Sequence, residues 1–147
     1  MEVNGIAHIQ LTVTNVKEST KFYEPFLHFL EMKTLIQTDE YFYCIGSRTG
    51  IAICQLDPEF EGDRFAQRRV GLHHFCLRAR KREDIDGIHD FVKDLGVTIV
   101  HAPQDDTYAP GYYSVLMEDR DGIRIEVNHV PGKGHLAKQR PTHQRVR

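Results

Sequence analysis

No stretch of this 147-residue chain approaches the roughly 18 consecutive apolar residues that a membrane-crossing helix needs. That excludes a helical integral membrane protein. The amino terminus, MEVNGIAHIQ, also lacks the basic and apolar regions of a secretory signal, so no export address is read and the cytoplasm is the expected compartment. Cysteine is scarce. Cys44, Cys54 and Cys76 are an odd number with no CxxC spacing, which removes a zinc knuckle and a redox pair and leaves buried thiols as the expectation. Aromatic residues are missing from the segment after Glu126, where Lys133, Lys138, Arg140, Arg145 and Arg147 stand without any acid. A basic tail over 133–147 without interleaved aromatics is expected to be a solvated extension that can pack on a partner subunit, and no nucleic-acid or membrane partner is expected. What remains, 40% hydrophobic and 27% charged, is the composition of a soluble globular domain over 1–132, of a size that suits one core or two fused half-cores.

The chain repeats itself. GIAHIQLTV at 5–13 and GLHHFCLRA at 71–79 superpose at an offset of 66 residues, matching glycine, histidine and the alternating apolar positions. The same offset lays Phe22, Phe26 and Phe29 over Ile88, Val92 and Leu95, spaced by four and three as one helix face requires. Asn15 suits the N-cap of the first helix with Glu18 three residues on; Glu83 and Asp84 suit the first turn of the second, and Gly96 its end. Strand-like segments follow each helix: 33–38, 41–45 and 51–56 after the first, 97–101, 112–118 and 123–129 after the second. Each half thus reads β-α-β-β-β, the first over about 3–57 and the second over about 71–130. The only credible linker, 58–70, joins half-domains and not independent domains, and a longer loop, 102–111, carries Pro103, Pro110 and Gly111. The fold class is α+β, with helices covering one face of curved mixed sheets.

Strand alternation places His8, Gln10 and Thr12 on one face of the first strand, His74, Cys76 and Arg78 on the matching face of its repeat, and Arg124, Glu126 and Asn128 on one face of the last strand. An isolated polar face of this kind meets solvent in a half-exposed sheet. Two histidines at equivalent repeat positions suggest more. If helices cover the apolar faces, His8, His74 and Glu126 line concave faces, and two imidazoles with one carboxylate form a facial ligand set that leaves coordination positions open.

These residues resemble the vicinal oxygen chelate superfamily, which includes glyoxalase I, extradiol ring-cleaving dioxygenases, methylmalonyl-CoA epimerase and bleomycin or fosfomycin resistance proteins. The resemblance runs over 3–130 and rests on GIAHIQLTV, GLHHFCLRA and YAPGYYSVLMEDRDGIRIEV, the last similar to the family's closing tyrosine-rich strand, DPDG turn and IE. It implies two tandem βαβββ modules around a metal cup, a divalent ion (iron, manganese, nickel or zinc), and His8, His74 and Glu126 as its ligands. Arg120 replaces the turn's proline, while Asp119, Asp121 and Gly122 keep its other positions. A fourth ligand, a carboxylate in glyoxalase I-like proteins, has Gln55 as its nearest counterpart. Alternation puts Gln55 on the face of Ile51 and Ile53, so only a bulge would turn it inward.

The implied chemistry is chelation of two adjacent substrate oxygens with stabilisation of an enolate or related oxyanion. Three functions stay open. The first is a glyoxalase I-like lyase or isomerase with Glu126 as the catalytic base. The second is an iron(II) extradiol dioxygenase with Tyr108, Tyr112, Tyr113 or His129 as acid–base groups. The third is a non-catalytic drug- or metabolite-binding resistance protein. Arg78, Arg124 and Tyr113 are candidate substrate-binding residues, the arginines for an anionic group, and a homodimer is expected.

Overall fold

The computed structural model describes residues 3, 5–46 and 48–132; the basic tail lies outside the described residues. The chain divides into two compact units, one comprising residues up to Phe65 with Asp119–Gly122, the other Ala66–Glu118 with the residues from Ile123 onward.

In the first unit, strand β1 (Ile9–Val13) leads into helix α1 (Val16–Phe29), followed by β2 (Lys33–Gln37), β3 (Tyr41–Gly46) and β4 (Thr49–Gln55). The strands form one sheet in the order β1-β4-β3-β2, with β1 and β4 parallel and the other pairs antiparallel. Helix α1 begins where the sequence places it: the Asn15 side chain accepts from the Glu18 amide at 2.9 Å, satisfying one of the donors a helix start leaves open. It ends in a left-handed residue, Glu31 at φ 62°, with the Met32 amide donating to the Leu27 carbonyl at 3.0 Å. Phe22, Tyr23, Phe26 and Leu27 on this helix are buried with Leu11 and Val13 of β1, Phe42 of β3, and Ile51 and Ile53 of β4. Fully burying a side chain of this size stabilises by about 1.5–3 kcal/mol.

The turn Asp119–Gly122 belongs to this unit through its two buried aspartates. Asp121 accepts from the Thr14 amide at 2.9 Å and from the Thr14 hydroxyl at 2.5 Å, and Asp119 accepts from the Tyr23 hydroxyl at 2.8 Å. Gly122, at φ 85°, takes the turn position that a side chain would strain.

The second unit repeats the order: β5 (Phe75–Arg78), α2 (Arg82–Lys93), β6 (Thr98–Asp106), β7 (Tyr112–Glu118) and β8 (Arg124–His129), in a sheet ordered β5-β8-β7-β6 with β5 and β8 parallel. The Asp84 carboxylate accepts from the Lys81 amide at 3.0 Å and closes the start of α2. Ile85, Ile88 and Val92 of α2 are buried, as are Phe75, Val115, Met117, Ile125 and Val127. The sequence suggested a loop from 102 to 111, but β6 runs on to Asp106. Pro103 is tolerated because β6 is an edge strand whose pairing with β7 slips between His101 and Gln104. The cysteines also depart from expectation. Only Cys44 is buried; Cys54 is intermediate and Cys76 exposed, since both stand on the polar faces of their sheets.

Candidate metal centre

Register decides which side chains meet on the polar face of the second sheet. Parallel pairing sets Cys76 beside Glu126 and Arg78 beside Asn128, and antiparallel pairing sets Ser114 beside Asn128 and Leu116 beside Glu126. Paired residues project to the same side, so one face carries His74, Cys76, Arg78, Tyr112, Ser114, Glu126 and Asn128.

A continuous set of polar contacts runs across it. His74 Nε2 lies 3.2 Å from Glu126 Oε2. The other carboxylate oxygen, Oε1, accepts from the Tyr112 hydroxyl; that hydroxyl accepts from Asn128 Nδ2 at 2.7 Å, and Asn128 Oδ1 accepts from Arg78 Nε at 2.7 Å. Each donor and acceptor is thereby specified, including the orientation of the Asn128 amide. Burial raises the Tyr112 hydroxyl above its ordinary pKa and the Glu126 carboxylate adds to this, so at neutral pH it remains a donor. The Cys76 thiol is pushed up to about 12, first by burial and then by Glu126, which makes it a poor thiolate despite the residue's exposure. Behind His74, its Nδ1 stands 2.7 Å from His73 Nδ1, so the two rings hold complementary tautomers, one donating and the other accepting.

Imidazole and carboxylate donors fit a divalent ion. Two ligands bound cis on one ion at about 2.1 Å stand about 3.0–3.4 Å apart, and the His74–Glu126 separation of 3.2 Å falls in that range. The Tyr112 hydroxyl on the second carboxylate oxygen is the kind of outer contact that orients a metal-binding carboxylate. Among the described residues, no group of three or more His, Cys, Asp or Glu side chains is arranged to hold a metal.

His8 belongs to the first unit, where its exposed ring meets the Tyr43 ring edge-on at 6.4 Å. On β4, Gly50 precedes Ile51, the partner of Ile9, and a Cβ at Gly50 would come within 2.5 Å of the Tyr43 ring, so glycine lets the tyrosine lie there. The remaining positions of β4 on that face are Ala52 and Cys54; none of the three is acidic. Gln55 pairs with Val13, on the other face, and both ends of its amide are used: Oε1 accepts from the Val16 amide at 3.1 Å and Nε2 donates to the Thr14 carbonyl at 2.9 Å. It clasps the start of α1, and metal binding by it would require breaking both bonds.

The candidate substrate residues separate. Arg124 is neutralised by Glu118 at 2.8 Å, and Gln67 donates to the same carboxylate oxygen at 3.1 Å. Tyr113 projects to the helix side, donating to Asp86 at 2.7 Å beneath the Arg82 guanidinium, which lies 3.5 Å from the ring centroid. His129 shares that side, with its Nδ1 buried and unpartnered among the described residues. Tyr108, exposed, packs edge-on against Tyr112 at 5.3 Å. Of the four acid–base candidates, Tyr112 is the one that touches Glu126. Asn128 was visible to alternation, but its part in the chain of contacts needed the β5–β8 register; His73 carried no signal, because alternation assigns it to the opposite face.

No curated protein matches the sequence. Solved structures share its fold. A glyoxylase/bleomycin resistance protein/dioxygenase domain from Frankia sp. EAN1pec is 22% identical with a TM-score of 0.69, covering 87% of this chain and 98% of its own. A glyoxalase/bleomycin resistance protein from Albidiferax ferrireducens T118 is 18% identical with a TM-score of 0.70, covering 86% and 98%. A lactoylglutathione lyase from Agrobacterium tumefaciens is 17% identical with a TM-score of 0.63, covering 88% and 96%. With the family model matching residues 5–127, the chain belongs to the Glyoxalase/Bleomycin resistance protein/Dioxygenase superfamily.

Proposed function

We propose that the protein is a divalent-metal-dependent enzyme acting on a small molecule with two adjacent oxygens, and that its reaction is ring cleavage of the extradiol type. His74 and Glu126 would hold the ion, with His8, in the first unit, as the proposed third ligand. The observation that carries the choice of reaction is the polar face of β4: Gly50, Ala52 and Cys54 offer no second carboxylate, and Gln55 is committed to the backbone of α1. Two histidines and one carboxylate are the ligand set of non-haem iron(II) oxygenases.

A bound ion would supply Lewis acidity toward the substrate oxygens, and iron(II) would add reactivity toward dioxygen. The protein's part is positioning. Tyr112 donates to Glu126 Oε1 and so holds the carboxylate in one orientation. Asn128 keeps the Tyr112 hydroxyl pointed at Glu126, and Arg78 keeps Asn128 in place.

The second reading is a glyoxalase-type lyase or isomerase. It draws support from Glu126 Oε2, which lies 3.2 Å from His74 Nε2 while the Tyr112 hydroxyl meets the other oxygen, leaving Oε2 the freer to accept a proton from carbon. Anaerobic loading with iron(II), followed by oxygen-electrode assays with catechols, tests the choice. Stoichiometric oxygen uptake with a coloured ring-fission product is expected. Turnover of the methylglyoxal–glutathione hemithioacetal without oxygen uptake would transfer the assignment to the second reading. Loss of metal from the His8→Ala, His74→Ala and Glu126→Ala proteins, measured by elemental analysis, checks the ligand set.

A further inference from the structure

We propose that Arg78 anchors a carboxylate of the substrate, which makes the substrate an organic acid; the inference rests on the metal-centred reading above and deepens it. Arg78, Arg82 and Arg124 of the second unit are held by polar contacts, and they differ in what holds them. Arg82 is matched in two parallel bonds by Asp105, at 2.7 and 3.0 Å, and Arg124 is matched by Glu118. Arg78 is exposed, and among the described residues no carboxylate lies within ion-pair distance of it; its hydrogen-bond partner is the neutral amide oxygen of Asn128. The other two arginines have their charge answered by an acid. This one does not.

Its placement is specific. Arg78 ends β5 on the face that carries His74 and Cys76, and its register partner, Asn128, is two residues beyond Glu126 on β8. Two residues along a strand span about 6.6 Å, a length that an aromatic ring or a short carbon chain can bridge between an anchored acid group and oxygens held near Glu126. The Asn128 contact uses Nε alone. The guanidinium is thereby held in a defined orientation while its Nη1 and Nη2 edge is left for a planar, two-oxygen acceptor, for which the arginine fork is suited. Because Asn128 is itself fixed by Tyr112, the anchor and the metal-binding carboxylate are positioned by one set of bonds. The bond count also limits side-chain ordering on binding, since the arginine is already held.

The test uses matched probes that differ in the carboxylate: 3,4-dihydroxybenzoate against catechol, and lactate against 1,2-propanediol, titrated calorimetrically into the purified full-length protein under anaerobic conditions. The acid of at least one pair is expected to bind tighter by on the order of tenfold or more, as a charge-assisted contact implies. Arg78→Gln should abolish that preference and Arg78→Lys should retain part of it, each in protein shown by its melting transition to be folded. Equal affinity within both pairs, including no measurable binding of either member, overturns the proposal, as does a preference that survives Arg78→Gln. Should Arg78→Gln not fold, the proposal is decided on Arg78→Lys, where an undiminished preference overturns it. The outcomes also separate the two readings. An Arg78-dependent preference confined to lactate, or seen in protein that never takes up metal, upholds the anchor while the ring-cleavage or metal-centred assignment fails.

Discussion

The two units share strand order, the parallel pairing of first and last strands, and the place of their helix, yet their polar faces have diverged. The first presents His8, Gln10, Thr12, Ala52 and Cys54, with Tyr41 donating to Gln10 at 3.5 Å and Thr12 near Cys54 at 3.6 Å: small or neutral groups in long contacts. The second presents a carboxylate, an imidazole pair, a phenol, an amide and a guanidinium in contacts mostly of 2.7 Å. The apolar faces show the reverse bias, with the large aromatics Phe22, Tyr23, Phe26 and Phe42 in the first unit and mainly aliphatic residues in the second. A repeated scaffold leaves one copy free to specialise in packing while the other accumulates charged groups, because each sheet meets its own helix on one side only.

The packing half of the comparison gives the largest expected effect. Phe26→Ala should cost about 3–5 kcal/mol and Ile85→Ala about 2–5 kcal/mol, read as falls in the denaturation midpoint; a near-neutral Phe26→Ala would remove the asymmetry in cores. On the polar side, Glu126→Ala should lower metal content or affinity by roughly a hundredfold or more, exceeding the roughly 10–100-fold expected for Tyr112→Phe, which removes an outer contact. Tyr43→Phe, in the first unit, should change metal affinity little, and an equal effect of the two tyrosine variants would show the first face to be as engaged as the second.

Tyr23 sharpens the contrast through pH. Burial, aided by Asp119 and Asp121, raises its pKa well above the ordinary tyrosine value of about 10. The folded state therefore holds this proton more tightly than the unfolded one. Its contribution is fully present below pH about 10 and is lost as the pH climbs beyond that. Tyr23→Phe should cost about 1–3 kcal/mol at neutral pH, with less further loss of stability at alkaline pH than wild type shows. The smallest effect expected is that of Gln55→Ala: about 1 kcal/mol, from two released backbone groups at the start of α1, with metal content unchanged. Loss of metal in that variant would restore Gln55 as a ligand.

Much of this was legible in the sequence. The 66-residue offset located both βαβββ units, and alternation sorted His74, Arg78, Glu126 and Asn128 onto one face because a strand's period of two is local information. What stayed hidden depends on neighbours distant in the chain. Tyr112 and Tyr113 are adjacent and chemically alike; only the pairing of β7 with β8 and with α2 shows that one reaches Glu126 and the other Asp86. Arg78 and Arg124 look equivalent by alternation, and the difference between them lies in Glu118, across the β7–β8 hairpin from Arg124. Gln55 was correctly placed on the core face, but nothing local reveals that its amide meets the ends of β1 and α1.

The turn Asp119–Gly122 has a consequence for dividing the protein. The backbone passes from one unit to the other at three points, after Phe65, after Glu118 and after Gly122. A fragment ending at Phe65 would hold α1 and the four strands of the first unit, yet Tyr23 and the Thr14 amide would lose their aspartate acceptors. No single proteolytic cut or gene truncation yields the complete first unit, and complementation by split halves should succeed only when the two pieces are present together.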